Sequence, residues 1–100
     1  MVAQVPIPTD RITDFCRRWN IIEFSLFGSV LTEDFRPDSD VDVLVAFPKG
    51  YEPPPDHWDL MEDELQAIFA RQIDLVERRR VVNPFRRHHI LTHRQVLYAA

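Results

Sequence analysis

The sequence has one cysteine in its hundred residues, Cys16, so no disulfide can close within the chain. No apolar run approaches the ~20 residues that cross a bilayer, and the stretch Met1 to Pro6 lacks a basic region followed by an apolar core. These absences predict a cytoplasmic protein with no membrane contact. No internal repeat is visible, which excludes a solenoid. There is no length for a separate substrate domain, so a single domain over 1–100 is expected, and a macromolecular substrate would have to be met by its surface or brought by a partner. Acid is missing from the end of the chain. All 16 Asp and Glu lie in residues 1–77 with six basic residues, whereas 78–100 hold six Arg, so a tail of +6 follows a body of −10. That asymmetry fits a contact with nucleic acid or an acidic partner, or else a solvated basic helix face.

What is present is a core and a motif. An apolar fraction of 45% with 11% aromatics is ample for a globular interior. The run Ser39-Asp40-Val41-Asp42-Val43-Leu44-Val45 alternates, so as a strand it points Asp40 and Asp42 to one face, with Cα atoms about 7 Å apart. Two carboxylates at that separation can converge on one divalent cation or bridge two, and hard cations such as Mg²⁺ prefer oxygen. Upstream, Ile22 to Phe27 reads as a strand that ends in Gly28-Ser29. A glycine there permits a tight turn whose N–H groups face an anion, and Ser29 adds a hydroxyl. Arg36 and Ser39, in the turn before the aspartates, are further candidates for phosphate. A strand, a Gly-Ser turn and an Asp-x-Asp strand together suit a nucleoside triphosphate and its metal.

The remainder reads as alternating helices and strands. Ile12, Phe15, Cys16 and Trp19 recur at helical spacing behind Thr9 as N-cap, and Asn20 suits the left-handed residue that ends the helix. Cys16 falls on the apolar face and reads as a core thiol. Val30 to Phe35 predicts a short helical turn before Arg36-Pro37-Asp38-Ser39. The polyproline stretch Tyr51 to Pro55 reads as a stiff connector, and Asp56 as the cap of a helix with Trp58, Met61, Leu65, Ile68 and Phe69 on one stripe. Ile73 to Glu77 predicts a third strand in which Asp74 faces opposite to Ile73 and Leu75. An acid buried there needs a cation or donors, and a metal shared with Asp40 and Asp42 would supply one. Asn83-Pro84 predicts the start of a last helix to His93, with Phe85, Ile90 and Leu91 as its apolar side, and Gln95 to Tyr98 an edge strand. His89 and His93 have zinc-ligand spacing but no third ligand nearby.

At Gly28-Ser29, Asp40-Val41-Asp42 and Asp74 the chain resembles the nucleotidyltransferase superfamily of the DNA polymerase β type, in particular its minimal nucleotidyltransferase branch. The resemblance covers nearly the whole chain. It implies an α/β (α+β) fold, a small mixed β-sheet packed against helices. It implies ATP as substrate, with its β and γ phosphates on Gly28 and Ser29, and two Mg²⁺ on Asp40, Asp42 and Asp74, the last also accepting the proton of the attacking hydroxyl. It implies a hetero-oligomer as well: minimal nucleotidyltransferases accompany a HEPN-type ribonuclease toxin as its antitoxin, and some transfer AMP to a tyrosine of that toxin. One segment departs from the pattern. Where many relatives have an Arg soon after Gly-Ser and then a Gly, this chain has Val30-Leu31-Thr32-Glu33, leaving Arg36 as the alternative cation. Two other readings remain, an antitoxin that acts by binding alone, and a nucleotidyltransferase acting on RNA, for which the basic tail is the only hint.

Overall fold

A computed structural model describes residues 3–100; Met1 and Val2, the start of the N-terminal stretch, lie outside them. The first helix, α1 (Thr9–Arg18), buries Ile12, Phe15 and Cys16. Its N-cap is Pro8 rather than Thr9, and no side chain caps it. The Pro8 carbonyl already accepts from Ile12 N at 3.0 Å, which draws Thr9 into the first turn. Asn20 adopts φ 63, and Ile21 N reaches back to the Cys16 carbonyl at 2.9 Å, a left-handed helix ending as the sequence predicts. Burial pushes the Cys16 thiol up to about 12, which makes it an inert core group.

Four strands follow, β1 (Glu23–Phe27), β2 (Val41–Ala46), β3 (Ile73–Glu77) and β4 (Arg94–Ala99), in the spatial order β3-β2-β1-β4. β1 is antiparallel to β2 and to β4, whereas β2 and β3 are parallel. A parallel pair needs a crossover, and α2 (Pro55–Phe69) provides it. This is a mixed sheet with helices, as the resemblance implies. Only β1 and β2 are central. β3 and β4 are edges, because β4 takes the free side of β1 and leaves that of β3 open.

The period of two sorts the sheet's faces. Phe24, Leu26, Val41, Val43 and Val45 are fully buried with Phe15, Met61 and Leu65, so α1 and α2 cover one face. Phe27 and Leu44 lie on the other face, where Val81 and Ile90 of the C-terminal segment pack. The register pairs Phe27 with Asp42 and Asp42 with Asp74, so both carboxylates belong to this second face.

α2 begins at Pro55 with Pro54 as N-cap; Asp56 sits inside its first turn, where it complements the helix dipole but does not cap. The expected stripe is present, though Trp58 and Ile68 are only half-buried beside Met61, Leu65 and Phe69. The polyproline stretch is tied down by the basic triplet Arg78 to Arg80. Arg79 Nη2 donates to the Tyr51 carbonyl at 2.9 Å and pairs with buried Glu77. Arg80 reaches Glu52 at 3.5 Å and lies over the Trp58 ring. The last helix, α3 (Pro84–Thr92), starts as read, with Asn83 Oδ1 accepting from Phe85 N and Arg86 N at 3.0 Å. Phe85 is 85% exposed, contrary to its expected place on the apolar side. Five residues separate it from buried Ile90, which turns it about 140° away around the helix.

Because Leu65 is fully buried and Leu60 on the same helix is 51% exposed, the two truncations should separate cleanly. Leu65→Ala should cost about 2–5 kcal/mol in urea unfolding and Leu60→Ala under about 0.5 kcal/mol. Similar costs for both would contradict this packing of α2.

Candidate active site

β1 is extended through Phe27 and then turns abruptly, with Gly28 at φ +76 opening a 3₁₀ turn, Gly28–Leu31. Val30 and Leu31 are buried and pin the turn to the core. Thr32 closes it, its N and its Oγ1 each donating to the Ser29 carbonyl at 2.9 Å. The helical turn therefore comes earlier than the Val30 to Phe35 reading. The two apolar residues bury best when the chain curls immediately after the glycine, and Phe35 instead packs beneath the Arg71 guanidinium, 4.4 Å from its ring centroid. The glycine is required twice over. Its φ lies in the left-handed region, and a Cβ added there would run into Asp42 Oδ2, with Asp42 Cγ only 3.2 Å away.

That contact joins the two halves of the motif. Asp42, half-buried on β2, stands against the Gly28 backbone on one side and is paired in register with Asp74 of β3 on the other. Asp40 lies two residues earlier, just outside β2, and is exposed. Asp74 is exposed too, so the expected need to neutralise a buried acid on β3 does not arise. An edge strand with no helix over that end of the second face leaves it in solvent. The three carboxylates nevertheless act on one another. Burial, then Asp74, then Asp40 push the Asp42 carboxyl up to about 6, and only Arg86 opposes them. Glu62 on the wet side of α2 is also shifted upward, by burial first and then by Asp59, Asp74 and Asp63, which extends the negative edge.

Among the described residues no three His, Cys, Asp or Glu side chains converge as a ready metal cage, and this includes His89 and His93. Their rings stack instead, with centroids 4.4 Å apart. The donor chemistry at Asp42 still fits a hard divalent cation. Carboxylate oxygens gather at one edge, and burial first, then the charges of Asp74 and Asp40, make Asp42 resist ionising, a cost that a bound cation would offset.

On the other side of Gly28 a cleft of about 390 Å³ opens between the turn and α3, lined by Phe27, Gly28, Leu31 and Thr32 and by Arg86, His89, Ile90 and His93. Its size is that of a small-molecule site. The sequence marked the Gly28 wall and missed the other. Arg86, His89 and His93 share a helix face by spacing, yet nothing in the sequence says that α3 folds over Gly28.

The basic tail is largely structural. Arg78 and Arg94 pair with Glu23, Arg79 and Arg80 with Glu77, and Arg87 Nη1 donates to the Arg78 carbonyl at 2.8 Å. Arg36 and Ser39 serve the preceding turn. Ser39 Oγ accepts from Arg36 N at 2.9 Å, the Arg36 carbonyl accepts from Arg71, and neither residue lines the cleft.

Two outcomes follow from the Gly28 and Asp42 contact. Gly28→Ala should destabilise the fold by roughly 2–5 kcal/mol, and the cycle with Asp42→Ala should show about 0.5–3 kcal/mol of coupling as the steric part is relieved. Additive effects would mean that the backbone conformation alone demands the glycine. The second concerns pH. Asp42 ionises near 3.8 when unconstrained and near 6 when folded, so across that window the folded chain holds the extra proton and this group's stabilisation is lost as pH rises. The stability gained by Asp42→Asn over wild type should therefore grow between those pH values and level off above them, as read by thermal unfolding in metal-free buffer. A gain that is flat with pH would contradict a folded carboxyl held above its ordinary range by burial and its acidic neighbours.

Comparison with known proteins gives the family and the fold. The nucleotidyltransferase domain family matches residues 11–97. No curated protein matches by sequence. Among solved structures, a chain of a toxin–antitoxin crystal structure with AMP-PNP is 18% identical with TM-score 0.74, over 94% of this chain and 75% of that one. A protein assigned as a minimal nucleotidyltransferase is 27% identical with TM-score 0.69, over 86% and 85%. A chain in the structure of tri-AMPylated Shewanella oneidensis HEPN toxin with its MNT antitoxin is 17% identical with TM-score 0.65, over 92% and 70%. With a family model that spans most of its length and a mixed sheet that solved relatives share, the chain belongs to the nucleotidyltransferase domain family.

Proposed function

We propose that the chain is the antitoxin partner of a HEPN-type toxin and that it transfers AMP from ATP to a hydroxyl of that toxin, a tyrosine by resemblance. The observation that carries the reading is the packing of the Gly28 turn against Asp42, with Asp74 in register beside it. It sets a phosphate-binding turn and a carboxylate edge side by side, as nucleotidyl transfer requires. The similarity to chains solved with AMP-PNP and with an AMPylated HEPN toxin supports the substrate and the partner.

In this reading Gly28 and Ser29 hold the β and γ phosphates of ATP, with Ser39 and Arg36 shaping the turn in front of the aspartates. Asp40, Asp42 and Asp74 are the residues that would hold two Mg²⁺, which when bound stabilise charge on the attacking and leaving oxygens. The acceptor oxygen forms a bond to the α-phosphorus while the bond from that phosphorus to the bridging oxygen of the β-phosphate breaks. AMP stays on the acceptor and pyrophosphate leaves. Asp74, exposed at the sheet edge, is where a partner's hydroxyl can approach, and its carboxylate takes the proton. The open second face beside β3 leaves room for a protein acceptor.

The test is the intact mass of the co-encoded toxin after incubation with this chain, ATP and Mg²⁺. One or more AMP increments should appear, and Asp40→Asn/Asp42→Asn should reduce the rate by at least about 10²–10³-fold while the complex still forms. A stable complex with no mass gain in wild type would overturn transfer in favour of inhibition by binding. Labelling of RNA ends in place of the toxin would move the acceptor to nucleic acid.

A further inference from the structure

A triphosphate carries about four negative charges at neutral pH, and the Gly28 turn has little to balance them. From Gly28 to Phe35 there is no Lys or Arg, while Glu33 and Asp34 add two acids. Opposite the turn, Asp40, Asp42 and Asp74 add three more. Unless a cation comes from elsewhere in the fold, an anion at Gly28 meets net repulsion.

The fold brings one such cation to the turn. Five of the six Arg in residues 78–100 are committed, Arg78 and Arg94 to Glu23, Arg79 and Arg80 to Glu77, and Arg87 to backbone carbonyls. Arg86 is the exception. Among the described residues its guanidinium has neither an ion pair nor a hydrogen bond, it is exposed, and it lines the same cleft as Gly28 and Thr32. The Asn83 cap fixes the first turn of α3 through Arg86 N itself, and buried Ile90 anchors the helix one turn on, so the backbone that carries this side chain is held in place. His89 and His93 continue the same wall of the cleft.

We propose that Arg86 is the phosphate-binding cation of this chain, reaching from α3 across the cleft to the triphosphate on the Gly28 turn. The inference rests on the nucleotide reading above and adds a residue to it. An arginine there has five donors in a planar fork, which suits bidentate contact with phosphate oxygens, whereas lysine would offer charge without the fork. Because the contact is to the phosphates, it distinguishes ATP from AMP and leaves the choice of base to other residues.

The experiment is calorimetric titration of the full chain with a non-hydrolysable ATP analogue and, in parallel, with AMP, each with Mg²⁺. Arg86→Gln should weaken binding of the analogue by about 10-fold or more and leave AMP affinity within about 2-fold; Arg86→Lys should recover part of the loss. Arg17→Gln, the same charge change on the exposed end of α1, should alter neither. Equal loss for AMP and the analogue would overturn the assignment by pointing to general damage to α3, which thermal unfolding of the variant would register. Wild-type binding of the analogue with no loss in Arg86→Gln would overturn Arg86 alone and leave the nucleotide reading standing. Wild type that binds no nucleotide, alone or with its toxin, would overturn both.

Discussion

The contact that the site depends on is a steric one, the Asp42 carboxylate lying in the space that any side chain at residue 28 would occupy. It limits what can stand between β1 and β2 at that end of the sheet, and it sets the acid beside the glycine turn. Moving either element by the width of a methyl group would separate the two halves of the motif. The core explains why they do not move. Val30 and Leu31 anchor the turn, Val41 and Val43 anchor the strand, and close packing on the covered face resists small displacements on the open one.

Electrostatics then divides that open face. Toward β3, burial and then the charges of Asp74 and Asp40 raise the proton affinity of Asp42, and burial, Asp59 and Asp74 raise that of Glu62. Toward α3 Arg86 acts in the opposite sense on Asp42. Gly28 sits on the boundary between the negative edge and the positive wall. A metal–triphosphate complex has the matching polarity, its cations seeking the acids and its phosphates seeking the arginine. The remaining arginines of the tail hold α3 and the polyproline connector to the sheet through Glu23 and Glu77, so the basic segment serves the fold first.

Much of this was legible in the sequence because its signals are local. Helical spacing, strand alternation, the Asn83-Pro84 start and the left-handed Asn20 are decided within a few residues, and the strand and helix positions follow them closely. The misread details depend on longer range or on competition between neighbours. Pro55, pre-set for the first helical position, starts α2 one residue ahead of Asp56, and the Pro8 carbonyl, accepting from Ile12 N, draws Thr9 into the first turn of α1. Asp74 is exposed because β3 is an edge, a property of sheet order that a strand's own sequence does not encode. Phe85 points outward because Ile90, five residues on, sets the rotation of α3. Arg86 was unreadable as a site residue for a similar reason: its place opposite Gly28 follows from how α3 packs on Phe27 and Leu44, which are distant in the chain.

The measurement that tests the central claim most directly is incubation of this chain and the HEPN-type toxin proposed as its partner with Mg²⁺ and ATP labelled at either the α or the γ phosphorus, followed by protein electrophoresis. Nucleotidyl transfer at the Gly28 and Asp42 edge predicts that the α label stays on the toxin band and the γ label leaves as pyrophosphate. Retention of the γ label, or of neither label with the complex intact, would contradict it.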